Sequence, residues 1–191
     1  MRGEICSLCC GRERETTLNC PLDCVYLQEA RKHERPGDVS PDEFPNQDIR
    51  ISETFLHENE ALLAATGRAV LEAGLETPGA VDSDVAEALA ALIRTYRTLD
   101  SGLYYETRPD NTVAAEIGRR IQEAIAEFRR EEAEKLQMTR TRDAGVLGVL
   151  AFLQRLEIDR HNGRKRGRAF LDFLRVQFPD AAVQAAQSLI V

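Results

Sequence analysis

No cysteine occurs beyond residue 24 of this 191-residue chain, although the first 24 residues hold five. Long apolar runs are missing too. Spanning a bilayer takes roughly 20 apolar residues. The strongest candidate, residues 144–153, is half that length and is flanked by Asp143 and Arg155. The opening Met-Arg-Gly-Glu-Ile-Cys holds no apolar stretch of the secretory kind. These two absences predict a cytoplasmic protein with no membrane partner. An excess of positive charge is also lacking. The net charge is −7 and the sequence pI is near 5.1. A general DNA coat needs a positive field, so the average charge argues against that class. The sequence holds no Gly-x-x-x-x-Gly-Lys loop, Gly-x-Ser-x-Gly elbow or His-Glu-x-x-His pair. An enzyme is therefore the less favoured expectation. There is no internal repeat, and strand-like sequence is confined to residues 13–18.

What is present is a globular balance, 43% hydrophobic and 30% charged. The length suits one ordinary domain and a small module. The module is marked by its cysteines: Cys6-Ser-Leu-Cys9-Cys10-Gly11, then Cys20-Pro-Leu-Asp-Cys24. In a reducing compartment, clustered cysteines are more often metal ligands than disulfides. An odd count agrees, since four ligands leave one spare. Zinc takes four thiolates in a tetrahedron, and a two-residue gap lets Cys6 and Cys9 curl round one ion. Gly11 gives a flexible exit. Residues 12–19 are long enough for a short hairpin. Cys20 and Cys24 form the second pair, with Asp23 as a cap for a helix beginning near Cys24.

A cysteine knuckle, a hairpin and a second pair at a helix start is similar to the treble-clef class of zinc fingers, over residues 5–33 alone. The sequence departs from that pattern in the three-residue gap of the second pair and in the extra Cys10. The expected ligands are Cys6, Cys9, Cys20 and Cys24, with Cys10 and His33 as alternatives. The cofactor is Zn²⁺, with an iron–sulfur cluster as the rival, since that too is held by four thiolates.

Residues 1–33 are thus read as a metal-binding module and residues 34–47, with three prolines and a glycine, as a linker. Residues 48–191 read as an all-helical domain. The expected class is all-α, a bundle of five to six helices with a small zinc-stabilised appendage. Apolar spacing predicts helices over about 50–74, 82–101, 112–135, 141–160, 164–177 and 180–190. Asp82 or Ser83 is the expected cap of the second, and Asn111 or Thr112 of the third. The fourth is apolar nearly all round and is expected at the centre, with Gly145 and Gly148 admitting a close neighbour.

Three histidines each follow a glutamate by four residues: Glu29/His33, Glu53/His57 and Glu157/His161. Surface pairing accounts for this spacing better than a second metal does. The run from Arg160 to Arg168 carries Arg160, Arg164, Lys165, Arg166 and Arg168 and no acid, which makes it the candidate phosphate or nucleic-acid contact. Tyr104 and Tyr105 are expected to pack on the bundle end. The leading functional expectation is a non-enzymatic zinc-binding protein whose helical domain binds a protein partner or self-associates. The alternatives are a nucleic-acid-binding protein using residues 160–168 with the zinc module, an iron–sulfur protein with the cluster on the cysteines, and an enzyme or redox protein with its site inside the bundle, which requires a polar pocket around Glu53, His57 and Glu60.

Overall fold

The structure is a computed structural model that describes residues 5–34 and 39–181. Among the described residues it is all-helical, with no β-strand. Two short helices, α1 (Ser7–Glu13) and α2 (Val25–Arg31), hold the cysteines. A single 3-10 turn, Pro41–Glu43, leads to α3 (Glu53–Glu58) and α4 (Glu60–Glu76). The remaining helices are α5 (Asp82–Asp100), α6 (Thr112–Leu136), α7 (Asp143–Arg160) and α8 (Ala169–Gln177). No helix among them is long and apolar enough to cross a membrane. Most of the helix expected at 180–190 lies outside the described residues.

The core forms where the apolar stripes meet. On α6, Ile117, Ile121 and Ile125 recur every fourth residue and are all buried. They join Leu71 of α4, Leu89 and Ile93 of α5, Leu150 and Leu153 of α7, and Phe170 and Leu174 of α8. Each such side chain contributes roughly 1.5–3 kcal/mol by leaving water. Helix α7 is the central element, buried continuously from Val146 to Ala151, as its sequence implied. A side chain at Gly148 would run into the Phe55 ring, so the missing Cβ is what lets α3 sit against α7. Gly74 does the same for Leu171 of α8.

Three local expectations need correction. The first predicted bundle helix is two helices, broken at Asn59. Its side-chain amide donates to the Phe55 carbonyl at 2.9 Å and closes α3 there. Where residues 12–19 suggested a hairpin, α1 runs on to Glu13. The amides of Thr16, Thr17 and Leu18 then all turn back onto the Glu13 carbonyl, leaving one isolated bridge between Arg14 and Leu18. The treble-clef hairpin is therefore replaced by helix, turn and helix. Thirdly, Asp82 does not cap its own helix. Asp84 does so, accepting the Val81 amide at 2.9 Å, while Asp82 is drawn off to α8. The third helix starts as expected, with Asn111 accepting from Val113 at 3.0 Å.

The segment read as a linker ends on the bundle. Asn46, at φ 59°, donates to Gln154 at 2.7 Å and accepts from Arg97 at 2.8 Å. Arg97 also grips Asp48 through two 2.7 Å contacts, and Arg155 donates to the carbonyls of Asn46 and Ile49. The chain is thus clamped to α5 and α7 before α3 begins. Tyr104 and Tyr105 are exposed rather than packed on the bundle end. Their backbone is held by Thr98, which donates to the Tyr105 carbonyl at 3.1 Å, and by the Thr107 amide, which donates to Thr95 at 2.9 Å. Those bonds fix the path of the chain and leave both rings outward.

Candidate metal centre and the adjoining cleft

Helix α1 starts at Cys6, whose sulfur accepts the Cys9 amide at 3.3 Å. Two-residue spacing brings this about, because a residue at the N-cap faces the amide three positions on. That bond holds the Cys6 thiol below its ordinary value, while the hydrogen bond shared with Cys6 raises the Cys9 thiol. Cys24 takes the same place at α2 without a side-chain cap. All five cysteines are free of disulfides: Cys6 and Cys9 exposed, Cys10, Cys20 and Cys24 half-buried. Among the described residues, no three Cys, His, Asp or Glu side chains converge into a group that could hold an ion. Each expected ligand pair lies on its own short segment. His33 is 80% exposed and faces Glu29 at 3.8 Å, on the far end of α2.

The segment has almost no core. Helix α1 buries no residue and α2 only Leu27. What holds it to the bundle is Glu15, in the turn after α1, which is 1% exposed at φ 52°. Its carboxylate accepts from Arg31 at 2.7 Å, from the Asn162 side chain at 2.8 Å and from the Arg168 amide at 3.0 Å. Its carbonyl accepts the Arg166 amide at 2.7 Å. Arg31 also pairs with Asp172 of α8. One buried acid thus joins α2, the 161–168 loop and the start of α8. Nothing in the local pattern marks this role, since Glu15 is one of many glutamates and sits in no motif.

This docking accounts for most of the basic run. Arg164 donates to the Arg14 carbonyl at 2.7 Å and faces Glu34. Arg166 donates to Asn19 at 2.8 Å. Arg168 is largely enclosed, and burial holds its guanidinium below the usual arginine range. Arg160 pairs with Asp159 at 2.9 Å and lies 4.9 Å from the centre of the Phe173 ring. Lys165 alone in the run is exposed with neither an ion pair nor a side-chain hydrogen bond among the described residues. Local spacing cannot reveal this docking, because the acid that receives the run lies some 150 positions earlier in the chain.

Next to this loop, a cleft of about 500 Å³ opens between α5 and α7. Asp82 and Glu157 lie in its wall, each 4% exposed. Asp82 accepts the Phe170 and Leu171 amides at 2.9 and 3.2 Å, capping α8, while its own amide donates to the Gly167 carbonyl. Burial outweighs those bonds and lifts the Asp82 carboxyl to about 6. Glu157 has no hydrogen-bond partner among the described residues. Burial, then the Asp82 charge, lifts it to about 8. The expected surface pairing of Glu157 with His161 does not occur. His161 Nδ1 instead accepts the Gly163 amide at 3.0 Å. By contrast, His57 and Glu60 are 86% and 79% exposed, so among the described residues no enclosed polar pocket forms around Glu53, His57 and Glu60.

No protein-family model, curated protein or solved structure matches the chain. Function therefore has to be argued from the residues themselves. Among the described residues they define an all-helical protein whose cysteine segment is fastened to the bundle around the buried Glu15, with Arg31, Arg164 and Arg166 adding further contacts.

Proposed function

We propose that this is a non-enzymatic zinc-binding protein: a cysteine module docked on a bundle of α4 to α8, serving as an interaction surface for a protein partner. The observation that carries the reading is the confinement of all five cysteines to a segment with almost no buried side chains of its own. A segment so poor in core needs a staple, and four thiols without disulfides have the donor chemistry for zinc. Cys6, Cys9, Cys20 and Cys24 would hold the ion, with Cys10 as the spare thiol. The hydrogen bond from the Cys9 amide already favours thiolate at Cys6. A filled tetrahedron leaves no open position, so the metal would supply structure rather than catalysis.

The same helices expose apolar side chains. Leu8 is 65% exposed, Val25 74% and Tyr26 72%. Ordered helices carrying such residues outward suit contact with another protein surface. The nucleic-acid reading has less to draw on, because four of the five basic residues in the 160–168 run are engaged within the chain.

Elemental analysis and an absorption spectrum, on protein purified without added metal, test the proposal. One zinc per chain, no visible band and loss of the metal in Cys6→Ser and Cys24→Ser are expected. Iron with a brown colour would replace the reading with electron transfer or sensing, and the absence of any bound metal would end it. Duplex DNA binding that falls steeply with salt would transfer the role to residues 160–168.

A further inference from the structure

Only one of the chain's asparagines, Asn162, is followed by glycine, and that pair sits where the cysteine segment docks. Asn-Gly is the asparagine peptide most prone to lose its amide. Glycine has no side chain to shield its backbone nitrogen, which attacks the asparagine amide carbon beside it. Gly163 is exposed, at φ 67°, with nothing within 4 Å of where a Cβ would stand. Its N–H donates to His161 Nδ1 at 3.0 Å, an unprotonated ring nitrogen two residues away. That contact lies within the loop and does not depend on the docking.

The Asn162 side chain, by contrast, is held fast while the segment is docked. Its Nδ2 donates to the Glu15 carboxylate at 2.8 Å, and its Oδ1 accepts the Arg164 amide at 3.2 Å. It also fills the space beside Gly167, where a Cβ would collide with Oδ1 and crowd Cγ. An amide pinned at both ends is not free to turn for attack, so docking protects it. Each local opening of the docking removes Glu15 and frees one end.

We propose that Asn162–Gly163 is a self-modification site: when the docking opens, the Asn162 amide is lost as ammonia, and the carboxylate left in its place keeps the cysteine segment from docking again. The Gly163 nitrogen passes its proton to His161 Nδ1 and bonds to Asn162 Cγ. The Cγ–Nδ2 bond breaks, and ammonia leaves with that proton, which closes a succinimide ring. Water then opens the ring at either carbonyl, giving aspartate or isoaspartate at position 162. Either product sets a second carboxylate where Glu15, 1% exposed, receives a donor. Two carboxylates in such a place repel each other. Isoaspartate also lengthens the backbone by a carbon just ahead of Arg164 and Arg166, which hold the Arg14 carbonyl and Asn19. The modified fraction therefore records how long the segment has been free. The inference rests on the docking and stands apart from the metal-binding reading.

Peptide mapping by mass spectrometry of the full chain, aged in mildly alkaline buffer, tests it. Slow conversion of Asn162 is expected in the parent. Glu15→Ala, which opens the docking, speeds it at least roughly tenfold, the equivalent of one hydrogen bond to a charged group. Arg31→Ala breaks the docking from the other side and carries the comparison if Glu15→Ala does not fold. Asn162→Asp supplies one product directly: hydrogen exchange at the Arg168 amide quickens about tenfold or more, while thermal melting shows the bundle still folded. Asn162→Ala loses the donor without adding a charge and quickens exchange less. The proposal is overturned if Asn162 converts no faster in Glu15→Ala and Arg31→Ala than in the parent, or if Asn162→Asp leaves exchange at Arg168 unchanged. Equal effects of Asn162→Asp and Asn162→Ala also overturn it, since the new charge would then do nothing.

Discussion

Replacing Glu15 with alanine tests the docking of the cysteine segment most directly. The parent carboxylate is 1% exposed and accepts three hydrogen bonds, from Arg31, Asn162 and the Arg168 amide. Removing one partner of a buried ion pair costs about 3–5 kcal/mol, because the other charge is left uncompensated. Arg31 keeps Asp172, which points to the lower end of that range. The Arg168 amide and the Asn162 amide group lose their acceptor, which holds the loss near the same ~3 kcal/mol. Backbone strain does not enter, since Ala and Glu meet the same penalty at φ 52°. Glu15→Gly isolates that term and recovers roughly 1 kcal/mol relative to Glu15→Ala. Urea unfolding followed by circular dichroism reads the total, and hydrogen exchange at the Arg168 amide reads the docking itself. Against a typical 5–15 kcal/mol for a whole domain, ~3 kcal/mol is readily measured. A loss below about 1 kcal/mol, with unchanged exchange at Arg168, refutes the argument that Glu15 joins the two parts.

Other outcomes follow from the same geometry. Stability falls as pH rises from about 4.5 to about 8, because Glu157 is raised in the folded state and must lose its proton there against burial. The advantage of the protonated form is complete below its unfolded value and gone above about 8. Urea unfolding at the two ends of this range shows a drop of a few kcal/mol; Glu157→Gln removes its own share, and what remains up to about pH 6 belongs to the raised Asp82 carboxyl. Gly148→Ala forces the Phe55 ring aside and destabilises by about 1–3 kcal/mol. Gly11→Ala meets nothing within 4 Å inside α1 and stabilises by up to ~1 kcal/mol, so thermal melting of the pair gives opposite signs. Stripping zinc with a chelator speeds proteolysis within residues 5–34 but leaves the melting of α4–α8 in place. Simultaneous loss of both would show that the metal supports the whole chain.

The helices were legible because periodicity is local. The spacing of Ile117, Ile121 and Ile125 determines which face of α6 turns inward, whatever that face later meets. The continuous apolar run of α7 marks a helix enclosed on all sides, and Asn111 marks the start of α6 through a bond to a residue two positions on. The break at Asn59 was missed because an asparagine within an apolar pattern is tolerated by spacing; its bond to Phe55 shows only in three dimensions. Residues 12–19 misled because a short β-prone run weighs little beside a helix already under way from Cys6.

The cysteine cluster needs only the sequence, since its information lies in where the five thiols are and are not. The use of Glu15, Asp82 and Glu157 needed the tertiary structure. An acid's role depends on how far it is from water and on which donors reach it, and those donors come from residues up to 153 positions away. Composition counts all 32 acidic residues alike. Only packing of α5, α7, α8 and the 161–168 loop decided that Glu15 is a buried acceptor, that Asp82 caps a helix not its own, and that burial raises the Glu157 carboxyl.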